Sequence, residues 1–182
     1  MSTLPFTDEF ADWIGMDQYV VVMRGGVWVL TTYSDVDFYV RRVSGLFVLT
    51  KRERGETEEM IMSADDFAAL ERHLTAMFGF SIRSRHRLPP IFLKGRPGPA
   101  GSGDVAPGYR LEQSSDHIVS LLDADGQICA VFPSGLDGVS RDAVEFSWFA
   151  DASLEDLRRS YLDPDGLPLF PGCSIGSVKP GA

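Results

Sequence analysis

Three histidines are the residues of this chain best suited to hold a metal or move a proton near neutral pH, and their neighbours decide whether they do. His73 falls in a helical pattern, His86 in an alternating basic stretch and His117 at the start of a strand. None has a Cys, His or Glu at ligand spacing, so no metal is expected. Asp123-Ala124-Asp125-Gly126 and Asp163-Pro164-Asp165-Gly166 open like calcium loops. Both lack the third acidic position and the closing bidentate Glu, so each reads as a turn. The phosphate-cradling GxxxxGK loop and GxGxxG are missing. No catalytic, cofactor-binding or metal-binding residue is nominated, and no cofactor is expected. An enzyme whose groups converge only in the fold stays as an alternative.

Recognition chemistry has more to work with. The formal charge is −9 and the pI about 4.7, which argues against binding a phosphate backbone. Arg83, Arg85, Arg87, Lys94 and Arg96 cluster against a lone Asp104, whereas Tyr109–Gly166 carries twelve acidic residues and four arginines. Such faces either keep the protein solvated or attract a basic partner and speed its association. Trp28, Tyr33, Asp35, Asp37 and Tyr39 combine aromatic surface with acid at one end of a strand-rich stretch. They are the candidate partner contact.

The elements that must position these residues begin with Tyr19–Met62. Tyr19–Met23, Val27–Tyr33, Val36–Val43, Leu46–Arg52 and Thr57–Met62 are strand-forming runs. Gly25-Gly26, Ser34-Asp35, Ser44-Gly45 and Gly55 separate them. Connections this short give an antiparallel meander. In Val36–Arg42, Val36, Phe38 and Val40 share one face, and Asp37, Tyr39 and Arg41 the other. Before the meander, Thr7 caps a short helix that turns Phe10, Trp13 and Ile14 inward and stops at Gly15. After it, Ser63–Phe78 reads as a helix with Ser63 as N-cap, Gly79 as C-cap and a stripe of Phe67, Leu70, Leu74, Met77 and Phe78. Phe80–Arg87 alternates like a strand with one basic face. Tyr109–Gln113 reads as a strand, and His117–Asp123 and Gln127–Pro133 as a hairpin around Ala124-Asp125-Gly126. Ala143–Phe149 is expected as a strand, although a helix also fits. Ser153 caps a last helix with Asp156 three residues on, stopped by Pro164 and Gly166.

The expected fold class is α+β: an antiparallel sheet meander with packed helices, in two similar halves around a shared core. The 182 residues suit a single domain, with halves at about 1–94 and 109–170, a Gly/Pro-rich loop at 95–108 and a frayed tail at 171–182. No apolar run is long enough to span a membrane, and Met1–Trp13 does not read as a signal peptide. Two cysteines make a poor disulfide framework, which points to a reducing cytoplasm.

Ala152–Phe170 reads A-S-L-E-D-L-R-R-S-Y-L-D-P-D-G-L-P-L-F. This resembles the C-terminal signature of the immunity-protein-61 family of bacterial toxin-immunity systems, the family of the immunity factor for the tuberculosis necrotizing toxin. A Ser-capped helix there runs into S-[FY]-L-D-P-x-G-x-P-L-F. Ser160, Tyr161, Leu162, Asp163, Pro164, Gly166, Pro168, Leu169 and Phe170 match it in place. An N-terminal D-W-I helix, the meander, a helix ending in Phe78-Gly79 and R-x-x-L-P-x-I at Arg85–Ile91 follow the family's order of parts. The loop at Gly95–Gly108 departs from it. The resemblance implies a non-catalytic cytoplasmic inhibitor that binds a cognate secreted toxin domain, for some members similar to an NAD-glycohydrolase, and occludes its active site. The signature itself reads as a packing strap. A ligand-binding or secretion-chaperone module is the other reading of a chain without a catalytic motif.

Overall fold

A computed structural model describes residues 6–33, 35–93, 105–115, 117–135, 138–171 and 173. Thr7 starts the first helix as expected. Its hydroxyl accepts from the Phe10 N–H at 3.1 Å, and α1 (Asp8–Gly15) buries Phe10, Trp13 and Ile14. The meander follows as β1 (Val20–Arg24), β2 (Val27–Thr31), β3 (Val36–Val43), β4 (Leu46–Glu53) and β5 (Glu59–Ala64), each antiparallel to the next. A second set, β6 (Arg110–Ser115), β7 (Ile118–Leu122) and β8 (Ile128–Pro133), joins it where Ser63 pairs with Val131. The result is one eight-stranded sheet in the order β1-β2-β3-β4-β5-β8-β7-β6.

The register separates two faces. Leu30, Phe38, Val40, Leu49, Met62 and Phe132 are buried in the cluster that also takes in the helices. Leu70 and Leu74 of α2 (Phe67–Arg85) are 0% exposed there, so the predicted stripe does lie on the sheet. Val29 and Tyr39 are also buried, yet they lie outside that cluster, on the opposite face.

Four sequence expectations fail. Ser63 caps nothing: it is a strand residue of β5, paired with Val48 and Val131. The cap is Asp66, whose Oδ1 accepts from the Ala68 N–H at 3.0 Å. Gly79 does not end the helix, and Phe80–Arg87 is not a strand; α2 continues to Arg85. The glycine is there for closeness, because a Cβ at Gly79 would lie 2.5 Å from the Tyr161 ring. Ala143–Phe149 also falls on a helix, α3 (Arg141–Ser147), which Ser140 caps by accepting from the Ala143 N–H. The last helix, α4 (Leu154–Leu162), is capped by Ser153 as predicted, with the Asp156 N–H donating to its hydroxyl at 3.0 Å.

The signature after α4 is a strap. Asp163 Oδ1 accepts from the N–H groups of Asp165 and Leu167, and Ser160 Oγ accepts from that of Leu169. Gly166 has φ +78, a conformation that disfavours any other residue, and a Cβ there would meet the Phe170 carbonyl at 3.0 Å. Phe170 is thereby seated against Tyr161 with ring centroids 5.4 Å apart. Of the expected loop, 95–104 lies outside the described residues. Ala106, next to it, is buried, and its N–H donates to Ser147 Oγ. Of the expected frayed tail, 172 and 174–182 lie outside the described residues. Cys173 is buried, and its carbonyl accepts from the Phe92 N–H at 2.7 Å.

Candidate partner-binding face

Period-two alternation puts Asp37 and Tyr39 of β3 on the face away from the helices, and the register sets their neighbours. Tyr39 lies between Val29 and Thr50, and Asp37 between Thr31 and Arg52. The Tyr39 ring is flanked by two guanidinium groups, Arg41 Cζ and Arg52 Cζ each 5.0 Å from its centroid. These arginine stems cover the ring, which is 7% exposed although no helix covers it among the described residues. Its hydroxyl donates to Asp37 Oδ2 at 3.3 Å, and Arg52 stands 3.9 Å from the same oxygen. Burial, then the nearby Asp37 charge, pushes the Tyr39 phenol above its ordinary pKa.

Arg41 also reaches across β4. It donates to Thr50 Oγ1 at 3.0 Å and to both carboxylate oxygens of Glu58 at 2.5 and 2.7 Å, while Thr50 donates to Glu58 at 2.8 Å. Such a two-point guanidinium–carboxylate pair fixes orientation as well as charge. The Arg41 hydrogen bonds hold the Glu58 carboxyl below its usual range. At the β2–β3 turn, Arg54 donates to Asp35 Oδ2 at 2.5 Å and lowers the Asp35 pKa in the same way. Tyr33 projects from that turn, 72% exposed, with Arg24 5.8 Å over its ring.

Of the five sequence-nominated contacts, the fold gathers Tyr33, Asp35, Asp37 and Tyr39 at the turn and on the outer face beside it. Trp28 is set apart. It pairs with Met23 and Val40 toward the other end of β2, on the inner face, where it packs against the core. The alternation already sets Arg41 beside Asp37 and Tyr39, whereas sequence reasoning missed Thr50, Arg52, Arg54 and Glu58. The meander register held the one available signal, since pairing Val36–Val43 with Leu46–Glu53 sets Arg52 opposite Asp37. Their presence changes the electrostatics. Asp35, Asp37 and Glu58 each have an arginine partner, so this face offers alternating, pre-ordered charges rather than bare acid.

The predicted basic strand face dissolves as well. Arg83 is 1% exposed, and its guanidinium donates to the carbonyls of Pro89, Ser160, Tyr161, Asp163 and Pro164. Arg85 pairs with the buried Asp17, which also accepts from Ser81.

A family model described as Immunity protein 61 matches residues 13–169. The Immunity factor for TNT of Mycobacterium tuberculosis (strain ATCC 25618 / H37Rv) is 27% identical over 140 residues, which make up 75% of this chain and 73% of that protein. The Immunity factor for TNT homolog of Mycobacterium bovis (strain BCG / Pasteur 1173P2) matches to the same extent. A solved structure titled "Rv3902c from M. tuberculosis" superposes with a TM-score of 0.79 at 23% identity, over 94% of this chain and 97% of that one. That likeness establishes the α+β fold.

Proposed function

The chain belongs to the immunity protein 61 family across residues 13–169, and from that premise we propose that it is a toxin-neutralising protein. It binds a cognate toxin domain in the cytoplasm of the producing cell and blocks the toxin's active site by occupying it. It acts as a stoichiometric inhibitor and not as an enzyme. Family membership carries this reading, and relatives named as immunity factors for TNT support it. The finer proposal is that the toxin resembles an NAD-glycohydrolase and that Tyr33, Asp35, Asp37 and Tyr39 make contact. The paired charges suit such a role: ordered by their neighbours before binding, they lose little side-chain entropy on docking.

The test is co-expression with the product of the adjacent open reading frame, the first candidate for a cognate toxin. An equimolar, separable complex burying roughly 1,200–2,000 Å² is expected, with toxin activity abolished at one-to-one and recovered when the partners are parted. Inactivation by far less than one equivalent would replace the inhibitor with a catalyst. Failure to bind the neighbouring toxin at all would remove the proposal.

A further inference from the structure

The two edges of the eight-stranded sheet are built differently. β6 carries Arg110 and Glu112, is exposed along most of its length, and shifts register between Gln113 and Ser115. Charge, polarity and a bulge are the usual guards of an edge strand. β1 lacks them over its first four residues. Val20-Val21-Val22-Met23 holds no charge, proline or glycine, and its register to β2 runs unbroken. Val20 and Met23 are 44% and 43% exposed. β1 ends the strand order, so no strand pairs with its outer edge among the described residues. A flat apolar edge of this kind is a template for a further strand. The turn into β2 shows which groups are on offer. Gly25 and Gly26, both at positive φ, form a two-residue turn that makes Arg24 and Val27 a mutually hydrogen-bonded pair. Antiparallel alternation then commits Val22 and Val20 to β2 and points the N–H and C=O groups of Val21 and Met23 outward.

We propose that β1 takes an extended segment of the cognate toxin as a ninth strand of the sheet. This rests on the toxin-neutralising reading and gives it a mode of recognition. Main-chain pairing to Val21 and Met23 holds the segment, and alternate side chains select it. On the helix side, Val21 and Met23 take apolar residues. On the outer side, Arg24 has no ion-pair partner among the described residues and takes a carboxylate from the segment. Arg24 Cζ also lies 5.8 Å over the Tyr33 ring, so the outer side of this edge runs on into the candidate toxin contact. A second copy of the chain is a poorer occupant, since it sets a charge of −9 against −9.

The experiment follows backbone amide exchange by NMR in the full chain, alone and with the product of the adjacent open reading frame. The Val21 and Met23 amides are expected to exchange freely in the free protein and at least about tenfold more slowly in the complex. Those of Val20, Val22 and Arg24, already facing β2, should change less. Met23→Pro removes an outward donor and spares the ladder to β2, so it should weaken the complex at least about tenfold. Arg24→Glu should weaken it too. A complex that leaves Val21 and Met23 exchanging freely, or that Met23→Pro forms as tightly as the parent, overturns this inference and leaves the toxin reading standing. Protection that grows with protein concentration and needs no partner gives the edge to a second copy and also overturns it. Failure of the parent to bind removes both readings. If Met23→Pro does not fold, amide exchange in the unmodified chain decides alone.

Discussion

The ring of Tyr161 lies directly against the Cα of Gly79, so close that a single added methyl group would sit 2.5 Å from its Cγ and Cδ2. This contact is the seam between α2 and α4, and it explains why a glycine interrupts a long, buried helix. Alanine there would gain about 1 kcal/mol of helix propensity. It would also force the aromatic ring off its seat, at about 1–3 kcal/mol or more. We expect Gly79→Ala to lower the urea midpoint despite the better helix former. A raised midpoint would mean that the ring moves freely and the seam is loose.

Arg83 closes the same seam from the other end. Its guanidinium ties five backbone carbonyls, from Pro89, from Ser160 and Tyr161 in the last turn of α4, and from Asp163 and Pro164 of the strap. A buried charge among carbonyls is strongly destabilising to remove, because those oxygens lose their donors away from water. Arg83→Met should cost about 3 kcal/mol or more. Arg83→Lys should recover only part of that, since an ammonium has three donors and no planar fork. Equal stability of the lysine variant and the parent, in chemical denaturation, would refute the fork geometry.

Acid should weaken the fold through His73. Burial depresses its folded pKa below the ordinary 6.5, with Asp142 pulling the other way. As pH falls through 6.5 the unfolded chain takes up a proton that the folded protein refuses. The stability is therefore fully present above that pH and is lost progressively as pH drops toward the folded pKa, with a slope of at most about 1.4 kcal/mol per pH unit. His73 lines a cleft between the sheet, α2 and α3 together with Lys51, Glu59 and Glu145. His73→Phe keeps a ring against Phe132 and Phe146 and should flatten this slope between pH 7 and 5. Parallel pH profiles of the two proteins would leave His73 out of the account.

Reversing Asp35 and Asp37 together to lysine should weaken toxin binding at least about tenfold. Asp35 and Asp37 order Arg54 and Arg52, so the double reversal removes two ordered pairs and adds repulsion. Association of the parent should slow as salt rises while dissociation changes less. Surface plasmon resonance separates the two rates. An unchanged affinity would move the contact to another face.

Local signals were legible and distant ones were not. Thr7, Ser153 and the alternation of Val36–Arg42 announce their structures because cap and pleat depend on residues a few positions apart. Ser63 and Asp66 are both competent caps, and only the pairing of Ser63 with Val131, far along the chain, decides between them. Gly79 carries the usual mark of a helix end, and nothing nearby shows that Tyr161 is why it is there. The candidate contacts divide in the same way. Asp35 and Asp37 stand out as acids at a turn, but their arginine partners depend on strand register. The cleft around His73 draws on β3, β4, β5, α2 and α3, and no spacing in the sequence foreshadows it.

The pleat of β3 also partitions tolerance to change. Phe38 and Val40 are fixed by the helices behind them, whereas Asp37, Tyr39 and Arg41 answer only to neighbours on adjacent strands. Drift on the outer side therefore need not pass through a misfolded ancestor, and pairs such as Asp37 with Arg52 can be exchanged together. Lineages descending from such a scaffold are free to diverge on that face while the seam at Gly79, Arg83 and Tyr161 holds still.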